Sequence, residues 1–368
     1  MDDKNLIMHI VGNRPQFIKL APVSREIRKK NYKEVIIHTG QHYDENMSDI
    51  FFDELDIPKP NENLNIGSDT HAKMTARAMI EIERVVIKYN PKVVLLYGDT
   101  NSTLAAALVC AKLNIKIAHV EAGPRMFDKS NPEECNRIVV DHLSNLLFCP
   151  DKISVENLKH EGIKNGVYFT GDVMYDTFLY SSSKELDVDI IKQYSLNYND
   201  YILMTWHRQE NTNSMSKMNS ILNFIEKIES KIILPLHPRT KKVLKEFNLW
   251  EKINSFNNLI ITEPLGYLET VNLLNNCKMV LTDSGGLSKE SSFAGVKCLF
   301  MLDLKPWPEL IDSGWMYPMD LANENIYENG YDFIKDCDRK STNETVKFYG
   351  DGKASEKIVD ILIENKYL

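Results

Sequence analysis

Short apolar runs alternate along the chain with longer stretches in which apolar residues recur every three or four positions. The runs at 6–11, 35–38, 93–97, 117–120 and 146–148 predict strands, and 15–30, 70–88 and 102–113 predict helices between them. Strands apolar on both faces and separated by helices of roughly 10–20 residues are the mark of parallel βαβ units. A polar stretch, Ser181-Ser182-Ser183-Lys184-Glu185-Leu186-Asp187, interrupts the pattern, which then restarts. Strands are predicted at 201–205, 232–236, 259–262, 279–281 and 297–301, and helices at 215–228, 240–247, 267–275 and 287–293. The expected organisation is one doubly wound α/β domain at residues 1–180 and a second at 181–352. A terminal helix lies within 353–368, and the pattern does not say which domain it packs on. Two such domains facing each other would set their strand-end loops on a shared cleft, where sheets of this kind bind ligands.

Composition agrees with two core-bearing domains. The chain has 368 residues, 43% of them hydrophobic, with 44 Lys+Arg against 52 Asp+Glu and a formal charge of -8. That balance excludes disordered, collagenous and disulfide-scaffold classes, and net acidity argues against non-specific nucleic-acid binding. No apolar run approaches the roughly 20 residues that a membrane-spanning helix needs. The start, Met1-Asp2-Asp3-Lys4, lacks the basic and apolar segments of a signal peptide, so a cytoplasmic protein is expected. Cys110, Cys135, Cys149, Cys277, Cys298 and Cys337 are scattered without C-x-x-C spacing, which signals neither a zinc site nor a disulfide framework; reduced thiols are expected.

Candidate chemistry gathers in the loops after the predicted strands. Gly12-Asn13-Arg14-Pro15-Gln16-Phe17-Ile18-Lys19 places Arg14 and Lys19 beside a helix start, which is either an anion site or a solvated basic turn. Gly98-Asp99-Thr100-Asn101-Ser102-Thr103 contains good capping residues, but Asp99 sits at the strand end itself. His119-Val120-Glu121-Ala122-Gly123-Pro124-Arg125 and Asn131-Pro132-Glu133-Glu134-Cys135-Asn136-Arg137 bring carboxylates and arginines close in sequence. Glu133 and Glu134 suit a first helical turn whatever the function, whereas Glu121, ending an apolar strand, is either paired to an arginine or poised for proton transfer. In the second half, Trp206-His207-Arg208 and Leu236-His237-Pro238-Arg239 follow strands; each histidine is a candidate phosphate or sugar ligand, and His207 also a general acid. Asp283-Ser284-Gly285-Gly286 opens a helix whose exposed N–H groups would accept a diphosphate, with Glu290 one turn on to meet ribose hydroxyls. Neither a Walker A spacing nor a G-x-G-x-x-G turn is present, which disfavours a nucleotide triphosphatase and a nicotinamide cofactor.

These motifs, together with His38-Thr39-Gly40-Gln41-His42 and Asn136-Arg137, resemble in order the non-hydrolysing UDP-N-acetylglucosamine 2-epimerases. The resemblance runs from about residue 6 to 315, and the set is specific as a whole though no single motif is. It implies a glycosyltransferase-B type fold, α/β, of two Rossmann-like doubly wound domains facing a central cleft. The implied activity interconverts UDP-GlcNAc and UDP-ManNAc, for surface polysaccharide precursors, without an added cofactor or metal. UDP is eliminated across C1–C2 to give a 2-acetamidoglucal and is then re-added. Carried over by residue, Asp99, Glu121 and Glu133 are the acid/base candidates. Arg14, Lys19, Arg137 and His207 hold the diphosphate or help its departure, and Ser284, Gly285, Gly286 and Glu290, with Arg208 and His237, bind the UDP-sugar. A homodimer is implied as well.

Two departures from the family pattern stand out. Trp307, before Pro308-Glu309, and Leu302 occupy positions where arginines are common, with Lys305 nearby as a substitute charge. Ser68-Asp69 replaces the Arg-Gln pair that accompanies Gln41-His42 in an activator pocket. These widen the expected substrates to UDP-sugars of the 6-deoxy-talose or 2,3-diacetamido uronic acid type. A glycosyltransferase of the same fold is the rival class; it needs one base for an inverting transfer, not three strand-end acids.

Overall fold

The computed structural model describes residues 5–40, 51–302, 306–321, 323, 327–337 and 346–368. They form two compact units, the first Met1–Leu179 with Val346–Leu368 and the second Tyr180–Thr345.

The first unit is built on a parallel seven-stranded sheet, in the order β3-β2-β1-β4-β5-β6-β7. Its strands are β1 (Ile7–Val11), β2 (Glu34–His38), β3 (Glu62–Asn63), β4 (Val93–Tyr97), β5 (Lys116–Val120), β6 (Leu146–Cys149) and β7 (Val167–Phe169). β1 and β4 are buried along their whole length, as expected of central strands covered by helices on both faces. Ile10 of β1 faces Ile37 of β2 on one side and Leu96 of β4 on the other. Strand order reverses between β1 and β4, so the crevice outside their carboxyl ends is the topological switch point where doubly wound sheets bind ligands. The helices that matter here are α1 (Arg14–Lys29), α2 (His71–Tyr89), α3 (Asn101–Lys112), α4 (Pro132–Leu143), α5 (Val173–Ser182) and, at the end of the chain, α7 (Ala354–Glu364).

Helix α1 carries Pro22 in its interior. Proline has no N–H, so the carbonyl four residues back loses its helical donor. Thr177 of α5 replaces it, donating its hydroxyl to the Ile18 oxygen at 2.6 Å. The chain returns to this unit at Val346. Asp172 N donates to Tyr349 O at 2.9 Å, and an added Cβ on Gly171 would meet that same carbonyl oxygen at 2.8 Å. Helix α7 then packs on α1, with Lys30 paired to Asp360. Its N-terminus is capped from elsewhere in the unit: Asp176 accepts from Ala354 N (3.0 Å), Ser355 N (2.8 Å) and Ser355 Oγ (2.6 Å). Burial outweighs those hydrogen bonds and raises the Asp176 carboxyl above its ordinary range.

The second unit has a parallel six-stranded sheet, in the order β10-β9-β8-β11-β12-β13. Its strands are β8 (Tyr201–Thr205), β9 (Lys231–Pro235), β10 (Leu259–Thr262), β11 (Met279–Thr282), β12 (Cys298–Phe300) and β13 (Met316–Pro318). Its switch point lies between β8 and β11, and helix α6 (Gly285–Phe293) follows β11. Each apolar run of the sequence became a strand. The strands β3, β7 and β13, absent from the sequence expectation, lie at sheet edges or are two or three residues long, too short to leave a period. All six cysteines are free thiols. Burial pushes the Cys110 thiol up to about 12. Among the described residues no helix is long and apolar enough to cross a membrane.

Candidate functional site

In the first unit the loops after β1, β4 and β5 converge at the switch point. Asn13 caps α1, its side chain accepting from Gln16 N, and Pro15 stands in the first turn. Gln16 is buried and works as a staple. Its oxygen accepts from Gly12 N at 2.7 Å, while its amide nitrogen donates to Tyr97 O (2.7 Å) and Thr103 Oγ1 (2.9 Å). The β1 loop is thereby tied to the β4 loop. The staple sets the start of α1, α1 aims Lys19 inward, and Lys19, only 8% exposed, pairs with Glu121.

That pair lies over Gly98. A Cβ added there would meet Lys19 Nζ at 3.2 Å and Glu121 Oε2 at 3.5 Å, and Gly98 has φ +60. Glu121 itself holds φ +71, a left-handed conformation unusual for a non-glycine residue. Next to this pair, Asp99 is bound by the Arg137 guanidinium, which also reaches Glu134 Oε2 at 3.3 Å. Asn136 holds the same loop, donating to Asp99 O at 2.9 Å. Burial works against the charge on Arg137, yet Asp99, Glu134 and Glu121 together hold its pKa above the ordinary value. The structure therefore gathers Lys19, Asp99, Glu121 and Arg137 into one alternating set of charges.

The other candidates are placed differently. Thr100 caps α3, accepting from Thr103 N, which is the bland role open to it in the sequence. Glu133 is exposed in the first turn of α4, and Arg14 is exposed with its guanidinium 4.2 Å from the centre of the Phe51 ring. Nothing in the residue pattern singles out Glu134 for a buried role. It accepts from Met126 N (3.0 Å) and Phe127 N (2.9 Å) and so closes the loop between β5 and α4.

In the second unit the organiser is Asp283, which the sequence showed only as part of a motif. It is fully buried, and its carboxylate accepts from His207 N (3.0 Å), Arg208 N (2.9 Å) and Asn211 Nδ2 (3.3 Å). The loop after β8 is folded around this one side chain. His207 also brings Nδ1 to 3.2 Å from Asp283 Oδ1, and its ring lies 5.7 Å from that of His237. His237 is exposed and caps the helix after β9, accepting from Arg239 N at 3.2 Å.

Ser284 caps α6, its hydroxyl accepting from Leu287 N, and Gly285 and Gly286 form the half-buried first turn. The first N–H groups of a helix have no acceptor within it and carry the positive end of its dipole. Arg208 adds a cation, since its Nη2 would stand 3.8 Å from a Cβ on Gly285. Glu290 is buried and accepts from Tyr267 OH at 2.6 Å, which fixes one carboxylate oxygen. Trp307 donates its indole N–H to Gly285 O at 2.9 Å, and the buried Lys289 ammonium lies 3.9 Å from its ring centre. The residue that departs from the family pattern thus braces the glycine turn. Leu302 is core. Lys305, Gln41 and His42 lie outside the described residues. Among the described residues no three His, Cys, Asp or Glu side chains gather as a metal site.

The profile of the family described as UDP-N-acetylglucosamine 2-epimerase matches residues 25–363. A UDP-N-acetylglucosamine 2-epimerase homolog of Methanococcus maripaludis is 47% identical over 97% of this chain and 99% of its own length. A UDP-2,3-diacetamido-2,3-dideoxy-D-glucuronate 2-epimerase of Pseudomonas aeruginosa is 40% identical, over 97% of this chain and 99% of that protein. Among solved structures, Methanocaldococcus jannaschii UDP-GlcNAc 2-epimerase in complex with UDP-GlcNAc and UDP has a TM-score of 0.86 and 40% identity, covering 98% of this chain and 99% of that one. The two Rossmann-like sheets are those of the glycosyltransferase-B type fold, as in these structures. By sequence over nearly its whole length and by fold, the chain belongs to the UDP-N-acetylglucosamine 2-epimerase family of isomerases.

Proposed function

We propose that this chain interconverts UDP-GlcNAc and UDP-ManNAc without hydrolysis, using the second unit to hold UDP and the carboxylates of the first to move the C2 proton. The observation that carries the reading is the Lys19–Glu121 and Arg137–Asp99 set at the switch point of the first sheet. The C2–H of the sugar is weakly acidic, so a fixed carboxylate must take the proton. The electrons of that bond form the C1–C2 double bond as the C1–O bond breaks and UDP leaves. Reversal with the proton delivered to the opposite face inverts C2. Two carboxylates, Asp99 and Glu121, with Glu133 as the third candidate, serve the two faces. Arg14, Lys19, Arg137 and His207 act on the charge that develops on the departing diphosphate. Ser284, Gly285 and Gly286 offer N–H groups to the diphosphate, Arg208 adds a cation there, His237 lines the sugar nucleotide, and Glu290 accepts from the ribose hydroxyls.

The test is proton NMR with UDP-GlcNAc in D2O. Deuterium at C2 of both UDP-GlcNAc and UDP-ManNAc supports the reading. Free sugar plus UDP overturns its non-hydrolysing part. A second substrate, a UDP-2,3-diacetamido uronic acid, is favoured by the name of the Pseudomonas relative and by Trp307 and Leu302 standing where arginines are common. Exchange with that sugar and none with UDP-GlcNAc would decide for it.

Glu290→Ala should weaken UDP binding about tenfold, close to 1.4 kcal/mol, read by calorimetry. An unchanged Kd would remove Glu290 from the ribose. The homodimer is part of the same proposal, supported by the exposed Ile80 and Ile87 on α2. Light scattering at the mass of one chain refutes it.

A further inference from the structure

Behind Glu121 lies a buried polar cluster that the proposed chemistry does not use. His119, one residue from the end of β5, is wholly buried, and each of its ring nitrogens faces an oxygen. Nε2 is 2.8 Å from the Gly98 carbonyl oxygen, and Nδ1 is 2.7 Å from Asp141 Oδ1. Asp141, on α4, is equally buried. Its other oxygen accepts from Gly123 N at 3.1 Å and lies 2.8 Å from Arg125 Nη1. Arg125 continues the chain as a two-point contact to Glu161, at 2.6 and 2.8 Å, and His142 approaches Glu161 at 3.3 Å.

The two ring nitrogens of His119 are thus held at once by a backbone carbonyl and a carboxylate, and Asp141 divides its two oxygens between His119 on one side and the Gly123 N–H and Arg125 on the other. His119, Asp141, Arg125 and Glu161 form one continuous row in which each buried polar group has a partner, the arrangement that burial demands. Cys149 also lies near this row, its thiol pushed up by burial and by the charges of Asp141 and Asp151.

The two contacts of the His119–Asp141 pair fall on either side of Glu121. One holds the carbonyl of Gly98, the residue beneath the Lys19–Glu121 ion pair. The other holds the N–H of Gly123, two residues beyond Glu121. Both glycines have positive φ, +60 and +90, as does Glu121 at +71. At Gly123 no side chain would fit, because a Cβ would meet Ser154 O at 2.4 Å. Left-handed backbone at such positions keeps its shape only where its surroundings fix it. We propose that His119 is a positioning residue, which with Asp141 clamps the Gly98 carbonyl and the Gly123 N–H around Glu121 and so sets where that carboxylate stands. The inference rests on the reading of Glu121 as a proton-transfer group; displacing such a group by about 1 Å can lower a rate about 100-fold.

The test compares deuterium exchange at C2 in the full chain and in its His119→Leu and His119→Gln variants. The leucine variant should lose about 100-fold in kcat with KM and UDP affinity within twofold of wild type. Glutamine, which keeps a donor for Gly98 O, should recover about tenfold of that loss. Unchanged kcat in the leucine variant, or KM rising in step with the loss of rate, overturns the positioning role. Failure of the functional reading shows differently, as absence of exchange in the wild-type protein with every UDP-sugar tried.

Discussion

Glu121→Gln is expected to lower C2 deuterium exchange by about 10²–10⁴-fold, the range a positioned acid or base contributes, while UDP affinity stays at the wild-type value. The amide keeps the shape of the side chain and removes its basicity. The two readouts separate because the residues proposed to hold UDP belong to the second unit, whereas Glu121 belongs to the first. A stability effect accompanies the change. Lys19, almost fully buried, loses its anionic partner, and an uncompensated buried charge is destabilising. The variant should therefore melt at a lower temperature than wild type and yet bind UDP normally where it is folded. Exchange in D2O and calorimetry with UDP are both run below the melting transition. Exchange at the wild-type rate would make Glu121 a structural partner of Lys19 and nothing more. Lost UDP binding would place it among the nucleotide ligands instead.

The second large effect belongs to Asp283. Asp283→Ala leaves the backbone N–H groups of His207 and Arg208 and the amide of Asn211 without their shared acceptor. At about 1–3 kcal/mol for a buried group left unsatisfied, the cost reaches several kcal/mol, and a unit of this size should lose on the order of 10 °C in Tm. The loop carrying His207 and Arg208 loses its fold with it, so the upward shift of Tm on adding UDP should vanish. Asp283→Asn keeps one oxygen for the two backbone donors and should retain part of both. Thermal melts of the three proteins with and without UDP give the answer. An alanine variant with the wild-type Tm and the wild-type response to UDP would show that the carboxylate does not organise this loop.

Both predictions concern residues whose weight the sequence displays unequally. Glu121 announces itself because an acid at the end of an apolar strand has no solvated-surface explanation. Asp283 does not, since an aspartate before a serine cap reads as loop composition until the β8 loop, more than seventy residues away in sequence, is seen folded onto it. Gln16 is similar: its partners Tyr97 and Thr103 are brought to it by the β1–β4 pairing. Glu133 and Glu134 are neighbours that a helix dipole favours equally, and only the backbone of Met126 and Phe127 tells them apart. The parallel strands were legible because burial on both faces leaves continuous apolar runs, and the motif loops followed because they end those runs. The edge strands left no such trace. Trp307 was visible as a departure, but Gly285, the acceptor of its indole N–H, stands 22 residues away in sequence, so its contacts with Gly285 and Lys289 leave no local pattern.

The return of Val346–Leu368 to the first unit has a consequence for how the chain is made. Domains usually acquire their structure in the order in which the ribosome delivers them. Here the second unit is one uninterrupted segment, complete once Thr345 has emerged. The first unit, although translated earlier, still lacks the helix that covers α1 and the backbone that satisfies Asp176. Its closing step therefore waits until residues 346–368 have been made. The unit that carries the carboxylates is begun before the other and finished after it.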